Sequence, residues 1–411
     1  MTATALQQEE HLPEAIVCKW CGKSFHYLKS HISMGRCENI PESAKGLDVD
    51  EVVKMYTTAF PDEPTISRTA LAKLNEKRAE KHSGEGKVAE ISAHPGYAGT
   101  VEYKTELVAA HELLGVTIKE LGTPRGKPLQ VTVNVNTPYP EFVPEAKKNY
   151  VYGDFDLIKD IFMMLEIGIP GYLWGHAGTG KSSLPTQLCA LLNRPLIRAQ
   201  HTASMEEAHV TGQILARDGS TYFEPGLLAL AMKNGCVYLA DEYDFAFPQI
   251  LGVYQPVLEG EPLIIKEATP DWRRITPHKR FAFIGTGNTN GSGDETGLYQ
   301  GTNIQNAANF SRFGIVSNVK YMSTKAEVNM LAEAGVIREY AEKMVKFANL
   351  VREGYEQHLI SQPIGPRELL LSAKIGMMRG DFSAGIEKSF INKLPSTSAQ
   401  AAREVVQKIF G

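Results

Sequence analysis

The sequence predicts an α/β fold: a core in which helices flank a parallel sheet, an all-helical C-terminal region, and a small N-terminal module rich in Cys and His. Three observations predict it. Strand-like apolar runs alternate with helical patterns from about residue 145 to 325. Helical periodicity continues through residues 326–411, and three of the five cysteines fall within the first 37 residues.

Composition limits the classes of function. The chain has 411 residues and a net charge of -4, which argues against a protein that coats nucleic acid through bulk charge. The longest apolar run, at residues 161–174, is interrupted by Glu166, Gly168 and Pro170, so no run reaches the roughly 20 residues that span a bilayer. The acidic N-terminus lacks the apolar run of a secretory signal. We therefore expect a cytoplasmic protein without membrane contact.

The chain divides into five predicted segments. Residues 83–99 are rich in Gly and Ser and are typical of a linker. Residues 104–121 (KTELVAAHELLGVTIKEL) have a helical pattern, and residues 129–136 (LQVTVNVN) alternate as a strand does. The predicted segments are the module rich in Cys and His (1–45), a helical segment with the linker (46–99), a small α/β segment (100–144), the α/β core (145–325) and the helical C-terminal region (326–411).

The stretch GHAGTGKS at residues 175–182 fits the phosphate-binding pattern G-x-x-x-x-G-K-[ST]. A short apolar strand (PGYLW) precedes it and a helix (SSLPTQLCALLN) follows, which is the context that this motif requires. Backbone amides would surround the phosphates of ATP, Lys181 would reach the β and γ phosphates, and Ser182 would hold Mg²⁺. The predicted ATP-contacting residues are Gly175, His176, Ala177, Gly178, Thr179, Gly180, Lys181, Ser182 and Ser183.

Two later strands end in polar residues that suit the same chemistry. CVYLADEYD is apolar up to Asp241 and Glu242, a pair that fits a magnesium ligand and a group that polarises the attacking water. RFAFIGTGN ends in Asn288, which would position the same water. Arg312 (in NFSRFG) and Arg367 (in GPREL) follow. Taken alone, Asn288 is better explained as a turn residue, and Arg312 and Arg367 as surface residues. The order of all five elements along the chain favours the functional interpretation instead.

This order of motifs resembles the AAA+ ATPases. The stretches GHAGTGKS, LADEYD, GTGNTNGSGDETGLYQGT, NFSRFGIV and GPREL are similar to the MoxR branch and, within it, to CobS-type ATPase subunits of aerobic cobaltochelatase. GDETGLYQGT at residues 293–302 is the most specific of them. The resemblance covers about residues 143–411, and it implies an AAA+ P-loop core with a helical lid.

The resemblance implies further properties. Family members form rings, usually hexamers, with ATP between subunits, so Arg312 would act on the neighbouring subunit's nucleotide and Arg367 would sense nucleotide from the lid. Residues 209–226 resemble the hairpin with which relatives engage partners or the central pore. Partners of MoxR-type proteins commonly carry a von Willebrand A domain, and CobS-type subunits also work with a large chelatase subunit. The implied function is an ATP-hydrolysing motor that remodels a protein partner.

The N-terminal module has a zinc-binding spacing, C-x2-C-x9-H-x5-C, formed by Cys18, Cys21, His31 and Cys37. Two thiolates from a tight turn, plus a His and a Cys from a following helix, suit tetrahedral Zn²⁺. His26 is the competing ligand, and Phe25 and Leu28 would form a minimal core. A module this small needs the metal to fold.

The stretch CGKSFHYLKSHI is similar to the Ros/MucR zinc-finger regulators, which bind DNA. Lys19, Lys23, Lys29 and Arg36 would supply the phosphate contacts. Four positive charges also fit a module that binds protein or has a purely structural role. The alternative function is therefore an ATPase that its zinc finger directs to DNA or to DNA-bound proteins.

Overall fold

The computed structural model describes residues 13–33, 37–45, 47–61, 63–70, 102–217 and 219–411. The chain forms two compact units, Met1–His94 and Pro95–Gly411. The predicted linker at residues 83–99 and all but the last two residues of the N-terminal stretch 1–14 lie outside the described residues. Among the described helices, none combines the length and the apolar composition that a membrane crossing requires.

The described part of the N-terminal unit includes a small hairpin and two helices that pack together. Strands β1 (Ile16–Val17) and β2 (Ser24–Phe25) pair antiparallel, and α1 (Leu28–Ser33) contacts α2 (Val49–Ala59). A short 3-10 turn at Glu42–Ala44 lies between the helices. The predicted finger and the first helix of the following segment therefore pack together.

The core of this unit extends beyond the predicted pair Phe25 and Leu28. Tyr56 of α2 is completely buried, and its hydroxyl accepts a hydrogen bond of 3.0 Å from the backbone N of Lys19. The Trp20 ring meets the Tyr56 ring edge-on, with centroids 4.9 Å apart. The module thus buries more apolar surface than residues 1–45 alone provide.

A second hairpin begins the larger unit. Strand β3 (Thr105–Ala109) pairs antiparallel with β4 (Gln130–Asn134), and the five-residue helix α3 (Ala110–Leu114) follows β3. The helical prediction for residues 104–121 is therefore wrong over β3, whereas the strand predicted at 129–136 is confirmed over β4. Pairing with the β-branched strand outweighs helix propensity, because propensity is a weak preference that tertiary contacts override.

The central sheet has five parallel strands, as the alternating pattern predicts. Across the sheet their order is β13 (Ile315–Asn318), β5 (Gly171–Trp174), β12 (Ala282–Gly287), β9 (Val237–Asp241) and β6 (Leu196–Gln200). Both β9 and β12 are buried along their whole length. A parallel sheet covered on both faces has such continuous apolar strands.

The remaining elements of the core surround this sheet. The predicted hairpin at residues 209–226 is confirmed as β7 (Gly212–Arg217) and β8 (Ser220–Pro225), and a short pair, β10 (Leu263–Ile264) and β11 (Arg274–Ile275), lies further along. Three single 3-10 turns occur at Pro140–Phe142, Tyr243–Phe245 and Gly252–Tyr254. The helices of the core are α4 (Phe155–Ile167), α5 (Ser183–Leu191), α6 (Glu207–Thr211), α7 (Leu227–Asn234), α8 (Pro248–Leu251), α9 (Gln255–Leu258), α10 (Pro270–Arg273) and α11 (Ala307–Phe310).

The C-terminal region is all-helical, as predicted, and has its own apolar core. A 3-10 turn at Ile391–Lys393 precedes the last helix. The helices are α12 (Thr324–Glu333), α13 (Arg338–Glu356), α14 (Pro366–Arg379), α15 (Phe382–Ser389) and α16 (Ser396–Phe410).

The sheet order places the P-loop, the acidic pair and Asn288 at one edge of the sheet. Strands β5, β12 and β9 are adjacent and parallel, so their carboxyl ends lie at one edge of the sheet. The P-loop follows β5 and Asn288 follows β12, whereas the acidic pair begins with Asp241, the last residue of β9. Ligands of open parallel sheets bind at this edge.

Candidate nucleotide-binding and metal-binding sites

The loop between β5 and α5 has a backbone that its glycines allow. Gly175, Gly178 and Gly180 have φ values of 146°, 80° and 103°, which side chains with a Cβ rarely adopt. A Cβ at Gly175 would also lie 2.5 Å from the carbonyl oxygen of Val319. The loop can therefore turn its backbone amides inward toward an anion.

Two hydroxyl side chains at this loop form hydrogen bonds that hold it in place. Thr179 Oγ1 donates to the carbonyl of His176 at 2.8 Å, and the hydroxyls of Ser183 and Tyr150 are 3.3 Å apart. Thr179 and Ser183, both predicted to contact ATP, thus form hydrogen bonds within the protein.

Lys181 is the buried cation of the site, with 7% of its surface exposed. Its Nζ donates to the carbonyls of Gly175 (2.8 Å) and His176 (2.9 Å) and to Asn288 Oδ1 (3.0 Å). Burial lowers the pKa of Lys181 to about 8, although the carboxylates of Glu242 and its neighbours act in the opposite direction. An added phosphate would favour the charged form.

Asp241 is buried at the end of β9 and accepts hydrogen bonds on both oxygens. Ser182 and Thr286 each donate to Oδ1 at 2.5 Å, and Arg198 forms an ion pair with Oδ2, its Nε lying 2.7 Å away. Burial alone would raise the pKa of Asp241, but these hydrogen bonds and the Arg198 charge outweigh it and lower the pKa. The Ser182 hydroxyl and a carboxylate, both hard oxygen donors, thus lie side by side.

Glu242 follows in a left-handed conformation, with φ 54° and ψ 41°. Its Oε2 accepts a 2.7 Å hydrogen bond from Asn288 Nδ2, so Asn288 connects Glu242 with Lys181. Burial raises the pKa of Glu242, and the charges of Asp244 and Asp241 raise it further against the opposing effect of Lys181. The structure therefore brings Glu242, Asn288 and Lys181 into one hydrogen-bonded group.

His176 lies among three tyrosines. Tyr299 Oη is 2.9 Å from His176 Nδ1 and accepts a hydrogen bond of 3.0 Å from the backbone N of Ala177. The ring of Tyr321 stacks on His176 and that of Tyr355 meets it edge-on, both with centroids 5.8 Å away. These residues line a cavity of about 530 Å³. Burial and the charge of Lys181 lower the pKa of His176.

The start of α14 in the lid lies against the P-loop. A Cβ at Gly365 would lie 2.7 Å from the carbonyl oxygen of Ala177, and one at Gly178 would lie 3.4 Å from Cβ of Arg367. Arg367 and the P-loop residue Ala177 both line a cavity of about 350 Å³. Arg367 is therefore close to the P-loop of its own chain.

Arg312 lies away from the P-loop of its own chain. It lines a cleft with Gly168 and Gly314 at the amino ends of the strands, whereas the P-loop follows the carboxyl end of β5. Its Nε donates to Glu259 Oε1 at 2.8 Å. The four residues of β5 separate these two ends by roughly 13 Å, so the structure does not bring Arg312 to the other site residues.

The predicted zinc residues meet in the N-terminal unit. One possible ligand atom from each of Cys18, Cys21, His31 and Cys37 lies within 4.8 Å of the other three. The Cys21 and His31 atoms are 3.3 Å apart, and the thiols of Cys18 and Cys37 are 3.8 Å apart. Three thiols and one imidazole in such proximity fit a tetrahedral Zn²⁺ site.

The competing ligand His26 lies outside this cluster. It is exposed, and its Nδ1 is 3.0 Å from the Ser67 hydroxyl. The described lysines predicted to contact phosphate are in ion pairs: Lys19 with Glu63, Lys23 with Glu38 and Lys29 with Asp50. Arg36 lies outside the described residues.

Four residues of the nucleotide site are absent from the sequence-based set: Arg198, Asp244, Thr286 and Tyr299. The strand register, rather than a motif, directs Arg198 and Thr286 to Asp241. Asp244 and Tyr299 lie within LADEYD and GDETGLYQGT, two of the stretches that carry the resemblance. These motifs could have identified both residues as members of the site.

Comparison with known proteins agrees with this geometry. The AAA domain family (dynein-related subfamily) matches residues 172–302. The aerobic cobaltochelatase subunit CobS of Sinorhizobium sp is 32% identical over 249 residues, covering 58% of this chain and 74% of that protein. An uncharacterized protein of Staphylococcus aureus is 23% identical over 265 residues, 62% of this chain and 96% of its own.

A solved structure of the RuvB Holliday junction branch migration motor of Thermotoga maritima is also similar. It has a TM-score of 0.36 and 13% identity, and the match covers 65% of this chain and 72% of that chain.

Proposed function

Because the chain belongs to the CobS-type family of AAA+ ATPases, we propose that it is a magnesium-dependent motor that hydrolyses ATP in a ring and remodels a protein partner. The observation that carries this proposal is the hydrogen-bonded group at the ends of three adjacent strands. That group joins the P-loop Lys181 and Ser182 to the acidic pair and to Asn288.

ATP would bind with its phosphates on the P-loop amides and on Lys181. Ser182 and Asp241 would hold Mg²⁺, which neutralises phosphate charge. The adjacent cavity of about 390 Å³, lined by Tyr150, Tyr152, Leu184 and Met322, has the aromatic and apolar lining that suits the adenine base.

Glu242 would accept a proton from the attacking water and orient it. Its raised pKa makes Glu242 a stronger base than a freely solvated carboxylate. Asn288 holds Glu242 on one side and Lys181 on the other, so it would fix the distance between the base and the phosphate-binding lysine.

The location of Arg312 supports a site completed by a second subunit. Arg312 cannot act on the nucleotide of its own chain, since it lies at the opposite ends of the strands. In a ring the neighbouring subunit would supply this arginine, and head-to-tail contacts of one kind close into rings. A hexamer is the expected size from the family. Arg367 would report the nucleotide state to the lid.

The Cys and His cluster would hold one structural Zn²⁺. The four ligand types and their proximity fit the metal. With four protein ligands this site is closed, so it would stabilise the N-terminal unit and take no part in hydrolysis.

The charges of this unit favour contact with protein over contact with DNA. Its three described candidate lysines are already paired with carboxylates. The sequence between residues 13 and 70 contains eight Asp and Glu residues and seven Lys and Arg residues. Affinity for DNA depends on a surplus of cations that neutralise phosphates, so we assign this unit to protein contact.

The ATPase part of the proposal is tested by Glu242→Gln. The wild-type chain should hydrolyse ATP only with Mg²⁺, and the variant should bind ATP with similar affinity while its turnover falls at least about 100-fold. Unchanged turnover in the variant would contradict the assigned role of Glu242.

The partner is tested by affinity capture from the native cell with Glu242→Gln and ATP, before and after nuclease treatment. Recovery of a von Willebrand A protein with a large chelatase subunit would support a cobaltochelatase role. Capture of other proteins that disappears with Cys18→Ser would assign recognition to the zinc module. Capture that depends on DNA would contradict the assignment of this module to protein contact.

A further inference from the structure

Asp244 is a buried carboxylate to which the proposed reaction assigns no role. It lies two residues after Glu242, in the 3-10 turn that follows β9, and none of its surface is exposed. A buried charge is costly unless hydrogen bonds satisfy it. The hydrogen bonds of Asp244 therefore indicate which part of the structure this buried carboxylate holds in place.

All hydrogen bonds to the carboxylate come from the end of β12. Asp244 Oδ2 accepts from the backbone N of Asn288 at 2.8 Å, and from the backbone N and the hydroxyl of Thr289, both at 2.9 Å. Among the described residues, Oδ1 has no hydrogen-bond partner. One oxygen thus holds two successive peptide groups of the neighbouring strand end.

The position of these peptide groups decides where the Asn288 side chain lies. Asn288 Nδ2 donates to Glu242 at 2.7 Å, and Asn288 Oδ1 accepts from Lys181 at 3.0 Å. A shift of the backbone at Asn288 would lengthen both hydrogen bonds. Asp244 itself is held at its backbone, where its carbonyl accepts a 2.7 Å hydrogen bond from Asn303 N.

The close approach of the two strand ends requires a glycine. A Cβ at Gly287 would lie 1.9 Å from the Tyr172 hydroxyl and 2.8 Å from Cγ of Asp244. The left-handed turn at Glu242 then directs both carboxylates toward the end of β12. The backbone is therefore built around this contact.

We propose that Asp244 is a positioning residue for ATP hydrolysis, which holds the backbone of Asn288 and Thr289 so that the Asn288 side chain spans Lys181 and Glu242. This inference rests on the proposed roles of Glu242 and Asn288. Asp244 acts through Asn288 and needs no contact with the nucleotide.

A conservative variant separates the hydrogen bonds of Asp244 from the simple filling of its site. In Asp244→Asn the amide oxygen can still accept from the backbone N atoms of Asn288 and Thr289. This variant should therefore retain more of the wild-type kcat than Asp244→Ala does.

Three full-length variants test the proposal, with Mg²⁺-ATP turnover and the affinity for a fluorescent ATP analogue measured for each. Asp244→Ala should lower kcat about 100-fold and change nucleotide Kd by less than about threefold, since only the placement of Asn288 is lost. Thr289→Val removes one of the three hydrogen bonds and should lower kcat about threefold to tenfold. Asp244→Asn should retain a higher kcat than Asp244→Ala, because its amide oxygen can accept the same backbone hydrogen bonds.

Wild-type kcat in Thr289→Val would overturn the proposal, and this variant decides the matter if Asp244→Ala does not fold. Equal losses of ATP affinity and kcat in Asp244→Ala would also overturn it. If the wild-type chain lacks ATPase activity, or if Glu242→Gln retains it, the proposed function itself fails.

Discussion

The imidazole of His176 and the ring of Tyr321 lie parallel, with centroids 5.8 Å apart and planes inclined by 3°. His176 belongs to the P-loop, whereas Tyr321 lies between β13 and α12, where the core passes into the lid. Arg352 of α13 lies over the Tyr321 ring at 4.0 Å and donates to the carbonyl of Ile364 at 3.0 Å. Packed side chains thus connect the P-loop with the residues before Arg367.

We expect His176→Ala to weaken ATP binding about threefold to tenfold, because the P-loop loses the aromatic contacts that hold it against the lid. The measurement is the Kd for a fluorescent ATP analogue. Tyr340→Ala is the matched control, since Tyr340 stacks on Phe382 within the lid at 4.7 Å. This control should lower the melting temperature and leave Kd unchanged. Equal Kd values for wild type and His176→Ala would contradict a role of these ring contacts in holding the P-loop against the lid.

Zinc content should be one ion per chain and should depend on the four clustered residues. Cys37→Ser should lose the metal and expose Tyr56 and Trp20 of the N-terminal core, because a unit this small depends on the metal to fold. Metal analysis and tryptophan fluorescence give the two readouts.

His26→Ala serves as the control for zinc binding, since His26 lies beside Ser67 rather than in the cluster. It should keep the full zinc content. Loss of zinc in this variant, or a metal-free wild type with a folded N-terminal unit, would show that the ligand set is wrong.

Acid should destabilise the core through His201, which is almost completely buried. In its neutral form Nδ1 donates to the carbonyl of Ala199 at 3.0 Å, and Nε2 accepts from the Tyr254 hydroxyl at 2.8 Å. Burial lowers the pKa of His201 to about 4. The unfolded chain therefore takes up the proton first, and stability falls as the pH drops below about 6.5.

Because His201 resists protonation in the folded state, the free energy of unfolding should fall by roughly 2 kcal/mol between pH 7 and pH 5. The measurement is the change in unfolding free energy or melting temperature between these pH values. His201→Gln should reduce that change, whereas the exposed His209 provides the control variant His209→Gln, which should not. An undiminished pH dependence in His201→Gln would refute the assignment.

The sequence alone predicts the residues whose positions follow from local pattern. Lys181 lies in the loop after one apolar strand, Asp241 ends a second and Asn288 follows a third. Parallel strands bring their carboxyl ends together, so the meeting of these residues could be expected before any coordinates. The all-helical lid and the Cys and His cluster also follow from periodicity and spacing.

Other features depend on contacts that local pattern does not contain. Arg198 reaches Asp241 because β6 lies beside β9 in a register that leaves Gln200 opposite Asp241. Tyr299 reaches the P-loop because Asp294 Oδ2 accepts from its backbone N at 2.7 Å and shapes the intervening loop. Strand β3 forms because β4 pairs with it, against the helical pattern of its own sequence.

If the proposed ring site combines Glu242 of one subunit with Arg312 of the next, two inactive chains should complement each other. Lys181→Ala and Arg312→Ala chains should each be nearly inactive alone, the second because an arginine finger contributes about a thousandfold or more to the rate. Co-expressed in equal amounts and purified through two tags, they should recover roughly a quarter of the wild-type rate, since a closed ring places an intact Arg312 beside some intact P-loops. A mixed ring no more active than its separate components, or wild-type turnover in Arg312→Ala alone, would contradict the account.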